Sequence, residues 1–208
     1  MARARTSAAT REAILEAATR VASREGISAM TLENVALEAG VSKGGLLHHF
    51  RGKEILISSM IEHFAKSVRS ALVERVARDP SPRGRWVRAF VDLVLPRPVP
   101  ESADAEAVPV PGVDLALASM NNFHTSVLAA LVENPELVAP IRNMGFEIRR
   151  RIVAEGDPEQ LISWLAIDGL LLWKLFGFIG PEDPDFESIA EALRARVRPR
   201  ESPTEDET

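Results

Sequence analysis

Residues 31–50 read TLENVALEAGVSKGGLLHHF and contain two residues that favour helix starts, with a glycine between them. Thr31 and Ser42 are residue types that favour the N-cap of a helix, so each predicts a helix start. Gly40 lies between them and predicts the left-handed residue that ends the first helix. Ala36 is small enough to let two helices approach closely. The stretch therefore predicts two short helices joined by a tight turn, the second reaching about Phe50, which is the spacing of a helix-turn-helix.

A helical wheel at 100° per residue orients the second of these helices. Leu46 and Phe50 fall on one side and predict its inward face, and His49 lies nearer the core edge. The outward positions are Gly44, Gly45, Leu47 and His48. Two glycines destabilise a short helix by about 1 kcal/mol each relative to alanine, and close backbone approach to DNA would explain them. The alternatives are a flexible loop with a chance glycine pair and a solvated surface histidine at position 48.

The remainder of the chain also predicts helices, because no alternating strand pattern persists. The long helix after the turn is expected to turn Ile55, Leu56, Met60, Phe64, Val68 and Leu72 inward. Five prolines in residues 96–112 predict an irregular loop, and residues 199–208 a disordered tail. The predicted helices outside the helix-turn-helix are Thr10–Glu25, Lys53–Arg78, Arg83–Leu95, Val113–Glu133, Pro135–Ala154, Pro158–Phe178 and Phe186–Val197.

Charge is distributed unevenly along the 208 residues. The net charge is -5, yet residues 1–56 hold eight Arg or Lys against six Asp or Glu. A basic head on an acidic body is typical of a protein whose end meets phosphate. The chain has no Cys and its first ten residues lack a secretory signal core, so a cytoplasmic protein is expected. Residues 161–179 are apolar enough to suggest a membrane-spanning helix, but Asp168 near the middle of the segment disfavours one.

Residues 10–57 resemble the N-terminal domain of the TetR family of bacterial repressors. The matching positions are Thr31, Val35, Ala36, Ala39, Gly40, Val41, Ser42, Gly44, Leu46, Phe50, Lys53, Glu54 and Leu56. The resemblance implies that Lys43, Gly44, Gly45 and His48 lie at the major groove of operator DNA, while Thr31, Ser42 and Lys53 contact phosphates. Family members usually carry a tyrosine at Leu47 or its neighbour, and this chain has no Tyr. Leu47 is kept among the DNA-binding candidates, and Arg3 and Arg5 could form a minor-groove arm or a plain basic tail.

The body is expected to form a dimer and to hold a ligand. The segment 158–179 is apolar nearly all round, which requires cover either from a second copy or from its own chain in a monomer. The resemblance implies a homodimer built as a four-helix bundle from the last two long helices, and a small-molecule effector between the body helices. Large apolar residues spread over these helices are the pocket candidates, with ordinary core packing as the alternative: Met60, Phe64, Trp86, Phe90, Met120, Phe123, Trp164 and Trp173. Asp168 is either paired with an arginine of its own bundle or in contact with a polar or cationic ligand. Asn121 and His124 are weaker polar candidates.

These observations predict an all-α fold. It comprises an N-terminal three-helix helix-turn-helix domain (1–52), a C-terminal helical ligand-binding and dimerisation domain (53–198) and a disordered tail (199–208). The expected function is a DNA-binding transcriptional regulator, a repressor released from a palindromic operator by a largely apolar effector. Two alternatives stay open: a regulator controlled by a protein partner or by no effector, and an all-helical enzyme. The four histidines lack the spacing of a di-metal bundle, so no metal, cofactor or catalytic residue is predicted.

Overall fold

The computed structural model describes residues 6–95, 135–180 and 182–199, and these ranges contain helices and no strand. The all-α prediction is confirmed. The first five helices are α1 (Ser7–Glu25), α2 (Leu32–Ala39), α3 (Lys43–His49), α4 (Lys53–Arg78) and α5 (Arg85–Val94). A 3₁₀ turn at Pro135–Val138 leads into α6 (Ala139–Ala154), α7 (Pro158–Leu175) and α8 (Pro184–Arg196).

Side-chain caps fix most of the helix starts. Thr31 Oγ1 accepts a hydrogen bond from the amide of Asn34 at 3.1 Å, and Ser42 Oγ accepts one from the amide of Gly45 at 3.0 Å. Such bonds satisfy amides that have no partner inside the helix. Helix α1 begins three residues before the predicted Thr10, because Thr6 caps it. Helix α8 begins at Pro184 instead of Phe186, because the Asp183 carboxylate caps it.

A continuous apolar core runs from the head into the body. In the head it gathers the inward faces of α1, α2 and α3 against the start of α4, and the inward stripe of α4 continues it toward α5 and α6. The prediction for Ile55 was wrong, since half of its surface is exposed. Ile55 lies roughly 140° from Met60 around α4, on the side that no described helix covers.

Two arginines tie distant segments of the body together. Arg88 of α5 donates to Asp79, just after α4, with Nε–Oδ2 and Nη2–Oδ1 distances of 2.7 and 3.0 Å. Buried Arg194 of α8 donates to the Leu95 carbonyl at 3.2 Å and pairs with Glu187 and Glu191. These contacts fix the two ends of α5 relative to α4 and α8.

Helices α6 and α7 leave an apolar surface exposed, which we call the α6/α7 face. On α7 it follows spacings of three and four residues, and Gly169 in its middle has open space where a side chain would project. Trp173 belongs to this face with 57% of its surface exposed, so it is not in the body core where both its prediction as a pocket residue and the core-packing alternative put it. The face comprises Phe146, Val153, Ile162, Leu165, Leu172, Trp173 and Phe176.

Several predictions lie outside the described residues. These are the irregular loop 96–112, the helix 113–133 with Met120, Asn121, Phe123 and His124, the arginines at positions 3 and 5, and residues 200–208 of the tail. The helix predicted to end at Phe178 ends at Leu175. Within the described ranges, no helix is long and apolar enough to cross a membrane.

Candidate nucleic-acid interface and ligand core

The turn between α2 and α3 sets the direction of α3. Gly40 adopts a left-handed conformation, with φ 68° and ψ 34°. The Gly40 amide donates to the Leu37 carbonyl at 3.1 Å, and the Val41 amide donates to the Ala36 carbonyl at 3.0 Å. This pair of bonds is the Schellman motif, which ends a helix and redirects the chain within two residues. Ser42 then caps α3, so the connection between α2 and α3 consists only of residues 40–42.

Helix α3 presents one side to the core and one side to solvent. Leu46 and Phe50 are fully buried, as the helical wheel predicts, and His49 is half-buried at the edge. The solvent side consists of Lys43, Gly44, Leu47 and His48, which are exposed, and Gly45, which is half-buried. This arrangement, in which one side of a short helix is held to the core and the other side is exposed, is the one that reads a major groove.

Packing within the protein leaves room for a side chain at Gly44 but less room at Gly45. A Cβ atom built on Gly44 would meet only Ser42 Oγ, at 3.9 Å, which is ordinary contact. A Cβ atom on Gly45 would lie 3.3 Å from the same oxygen, so the cap would shift slightly. Packing within the protein therefore gives no reason for a glycine at position 44, whereas close approach of DNA would give one.

We predict that Gly44→Ala stabilises the head and weakens DNA binding. Alanine favours a helix by about 1 kcal/mol over glycine, and it meets no obstacle here. On DNA, the added methyl group would separate the α3 backbone from the groove. Thermal unfolding and a binding titration on the same preparation check the two effects. A stabilised variant with unchanged affinity would show that the backbone at Gly44 does not approach the duplex.

Two lysines predicted to contact DNA have partners within the chain. Lys43 at the start of α3 forms an ion pair with Glu33 in the first turn of α2. The Lys53 ammonium donates to the backbone carbonyl of Ser28 at 2.9 Å, which ties the start of α4 to the turn before α2. Neither Glu33 nor Ser28 belongs to a sequence motif that predicts a functional role. An acidic residue in the first turn of a helix is favoured by the helix dipole, but that signal does not reveal the partnership with Lys43.

The predicted ligand residues that the structure describes are gathered in the body core. Met60, Phe64, Trp86, Phe90 and Trp164 are all buried, on α4, α5 and α7. The rings of Phe90 and Trp164 meet edge to face, with centroids 6.5 Å apart. The indole Nε1–H of Trp164 is buried and has no hydrogen-bond acceptor among the residues that the structure describes. An unmade hydrogen bond of this kind usually costs about 1–3 kcal/mol.

Asp168 lies one helical turn after Trp164, so the two side chains share a stripe of α7. Burial raises the pKa of its carboxyl to about 6. No hydrogen bond or ion pair joins Asp168 to another residue of the described ranges, so the predicted arginine partner is not found there. Helix α7 thus carries a half-buried acid and a buried indole N–H one turn apart, and neither has a hydrogen-bond partner among the described residues.

Comparison with protein families matches both parts of the chain. Residues 14–60 match the family described as "Bacterial regulatory proteins, tetR family". Residues 84–198, more than half of the chain, match the family described as "Tetracyclin repressor-like, C-terminal domain". The chain belongs to the TetR family. It is therefore a DNA-binding transcriptional regulator with a helix-turn-helix head.

A named relative of this TetR-family chain shares only the head. The uncharacterized HTH-type transcriptional regulator YerO of Bacillus subtilis (strain 168) is 35% identical over 54 residues. The match spans 26% of this chain and 19% of YerO.

Solved structures share the fold across most of the chain at low sequence identity. A transcriptional regulator of Rhodococcus sp. Rha1 aligns with a TM-score of 0.64 and 22% identity, over 90% of this chain and 93% of its own. The multidrug binding protein EbrR, complexed with malachite green, aligns at 0.58 and 22%, over 91% and 98%. A regulator of Saccharomonospora viridis in complex with choline aligns at 0.64 and 18%, over 90% and 94%.

Proposed function

We propose that this TetR-family chain is a homodimeric repressor that binds a palindromic operator and is released by a small-molecule effector. The observation that carries the proposal is the outward side of α3, where Lys43, Gly44, Leu47 and His48 are exposed on a helix whose back is fully buried. In this proposal residues 1–52 form the DNA-binding domain and residues 53–198 the effector-binding and dimerisation domain. Lys43, Gly44, Gly45, Leu47 and His48 face the major groove, and Thr31, Ser42 and Lys53 face phosphates.

The α6/α7 face supports a dimer. Its α7 residues recur at intervals of three and four, the spacing of a helix that packs along another helix. Exposed apolar patches of this kind mark interaction sites, because leaving them in water is unfavourable. The open space at Gly169 leaves room for the backbone of a partner helix to approach closely. A two-fold dimer through this face places two copies of α3 on one side of the duplex, one helical turn or a multiple apart.

The effector is proposed to bind at the core that contains Met60, Phe64, Trp86, Phe90 and Trp164, with Asp168 at its polar edge. This core combines apolar side chains with an N–H and a carboxyl that have no partner within residues 6–95, 135–180 and 182–199, and such a composition is usual for a small-molecule site. Met120 and Phe123 complete the proposed set. The complexes of EbrR with malachite green and of the Saccharomonospora viridis regulator with choline support a small organic ligand for this fold.

Helix α4 connects the proposed effector core to the head. It contributes Met60 and Phe64 to the core, and its first residue, Lys53, holds the Ser28 carbonyl of the head at 2.9 Å. An effector that favours a different tilt of α4 moves the head, and with it the spacing of the two α3 helices. Linkage then requires that operator DNA weakens effector binding by the same factor.

The proposal is tested by selecting bound duplexes from a random-sequence pool with the full-length protein. An inverted repeat whose half-sites lie one helical turn or a multiple apart is the expected result. Recovery of no common sequence would contradict operator recognition. A thermal-shift screen that starts with malachite green and choline then identifies stabilising compounds. Operator affinity that stays unchanged when such a compound is saturating would contradict release by an effector.

A further inference from the structure

The ion pair between Lys43 and Glu33 lies on the surface that the proposed function assigns to DNA. Lys43 is the first residue of α3, and Glu33 is the second residue of α2, two positions after the phosphate candidate Thr31. More than half of each side chain is exposed, 54% for Lys43 and 59% for Glu33. Free energies of exposed ion pairs are small, so the pair can open. The hydrogen bond from Lys43 stabilises the charged carboxylate of Glu33 and lowers its pKa.

Two other acids of the head, Glu25 and Glu38, have partners away from α3. Glu38 binds Arg20 at 2.7 Å and Arg24 at 3.4 Å, and Glu25 binds Arg24 and the amide group of Asn34. All of these partners belong to α1 and α2. Glu33 is therefore the acid that, within the described ranges, is bound to a residue of the outward side of α3.

A carboxylate in this place acts against phosphate in two ways. It occupies the Lys43 ammonium, which would otherwise neutralise a phosphate and release a counterion. It also carries a negative charge of its own toward a polyanion. Both effects apply to any duplex, whatever its sequence. Only a duplex that offers Lys43 a better partner than Glu33, such as the O6 and N7 acceptors of a guanine, compensates for opening the pair.

We infer that Glu33 is a specificity-determining residue that holds Lys43 away from phosphates on non-operator DNA and so suppresses non-specific binding. This inference rests on the proposed function, because it takes α3 as the element that meets the duplex. In the non-specific complex Lys43 stays paired with Glu33. In the operator complex Lys43 leaves Glu33 for a base edge.

The test is a double-mutant cycle on a 30-base-pair duplex of random sequence, followed by fluorescence anisotropy between about 50 and 200 mM salt. Glu33→Gln is expected to add one phosphate contact. That contact steepens the slope of log K against log salt by about 0.9 and raises affinity about 8-fold at 0.1 M salt. Lys43→Ala is expected to leave the salt slope nearly unchanged beside Glu33 and to abolish the added slope beside the glutamine. Loss of the negative charge of Glu33 itself gives a smaller gain in affinity that does not depend on Lys43.

Glu38→Gln is the matched control, because it changes the net charge equally and its partners do not reach α3. It is expected to leave the salt slope unchanged. Equal effects of the two glutamine variants on the salt slope, or an added slope of Glu33→Gln that survives Lys43→Ala, would overturn the inference. Absence of binding by every variant at the lowest salt would instead contradict DNA binding by this head, and the inference with it. Circular dichroism of each variant confirms that the helices are retained.

Discussion

Leu165→Glu is expected to convert the protein to a monomer and to lower its operator affinity by about 10²- to 10⁴-fold, the gain that linked binding of two half-sites supplies. Leu165 lies on the exposed side of α7 with 56% of its surface accessible, within the α6/α7 face. In the single chain, a glutamate at this position stays in water and costs little. In a dimer through this face, the same carboxylate is buried among apolar side chains without a partner, which is strongly unfavourable.

Light scattering during size-exclusion chromatography measures the change in mass, and an operator titration measures the loss of affinity. Val73→Glu provides the matched control, because Val73 is also a half-exposed apolar residue but lies on α4, outside the face. That variant is expected to remain dimeric. A Leu165→Glu protein that keeps the mass of a dimer would show that the two copies associate through another surface.

Asp168→Asn is expected to stabilise the ligand-free protein by about 3 kcal/mol at pH 8 and to leave its stability unchanged near pH 4. Burial raises the pKa of this carboxyl from 3.8 to about 6. One pKa unit corresponds to about 1.4 kcal/mol of differential stabilisation of the two protonation states. The folded state therefore holds the proton more tightly than the unfolded state, and the stability of the wild type falls as pH rises from about 4 to 6.

Urea unfolding at pH 4, 6 and 8, at one fixed protein concentration, measures the difference between variant and wild type. The asparagine has no proton to lose, so its advantage grows across this window and is constant above it. Glu12→Gln, at an exposed carboxyl of α1, is the control and is expected to show little effect at any pH. An Asp168→Asn variant that is less stable than the wild type at pH 8 would show that the charged carboxylate is compensated in the folded protein.

The sequence predicts the head well because its helix boundaries depend on local chemistry. Thr31, Ser42 and Gly40 each satisfy or redirect backbone groups within a few residues, so their roles are readable without knowledge of the fold. The inward face of α3 is also predicted locally, because Leu46 and Phe50 lie four residues apart. Ile55 shows the limit of such reasoning, since an apolar residue beside an inward stripe is not necessarily on it.

Contacts between distant residues are the part that the sequence does not reveal. Glu33 and Lys43 meet only because the turn at Gly40 brings the starts of α2 and α3 together, and no pattern of ten-residue spacing signals that. A tryptophan at position 173 suits a core position in its own chain and an interface with a second copy equally well. The sequence therefore does not predict that its side chain is exposed in the single chain. The unpaired N–H of Trp164 likewise depends on what surrounds the ring, which only the packed structure shows.

Tethered cleavage of the selected operator measures whether α3 lies against the duplex. The chain has no Cys, so a single cysteine can carry an iron chelate that cuts nearby DNA. Arg51→Cys places the chelate just beyond the end of α3, and Glu74→Cys places it far along α4 as the control. We expect the Arg51→Cys conjugate to cut in two clusters, one in each half-site on the same side of the duplex. Cutting no stronger than that of the Glu74→Cys conjugate would contradict the placement of α3 on DNA.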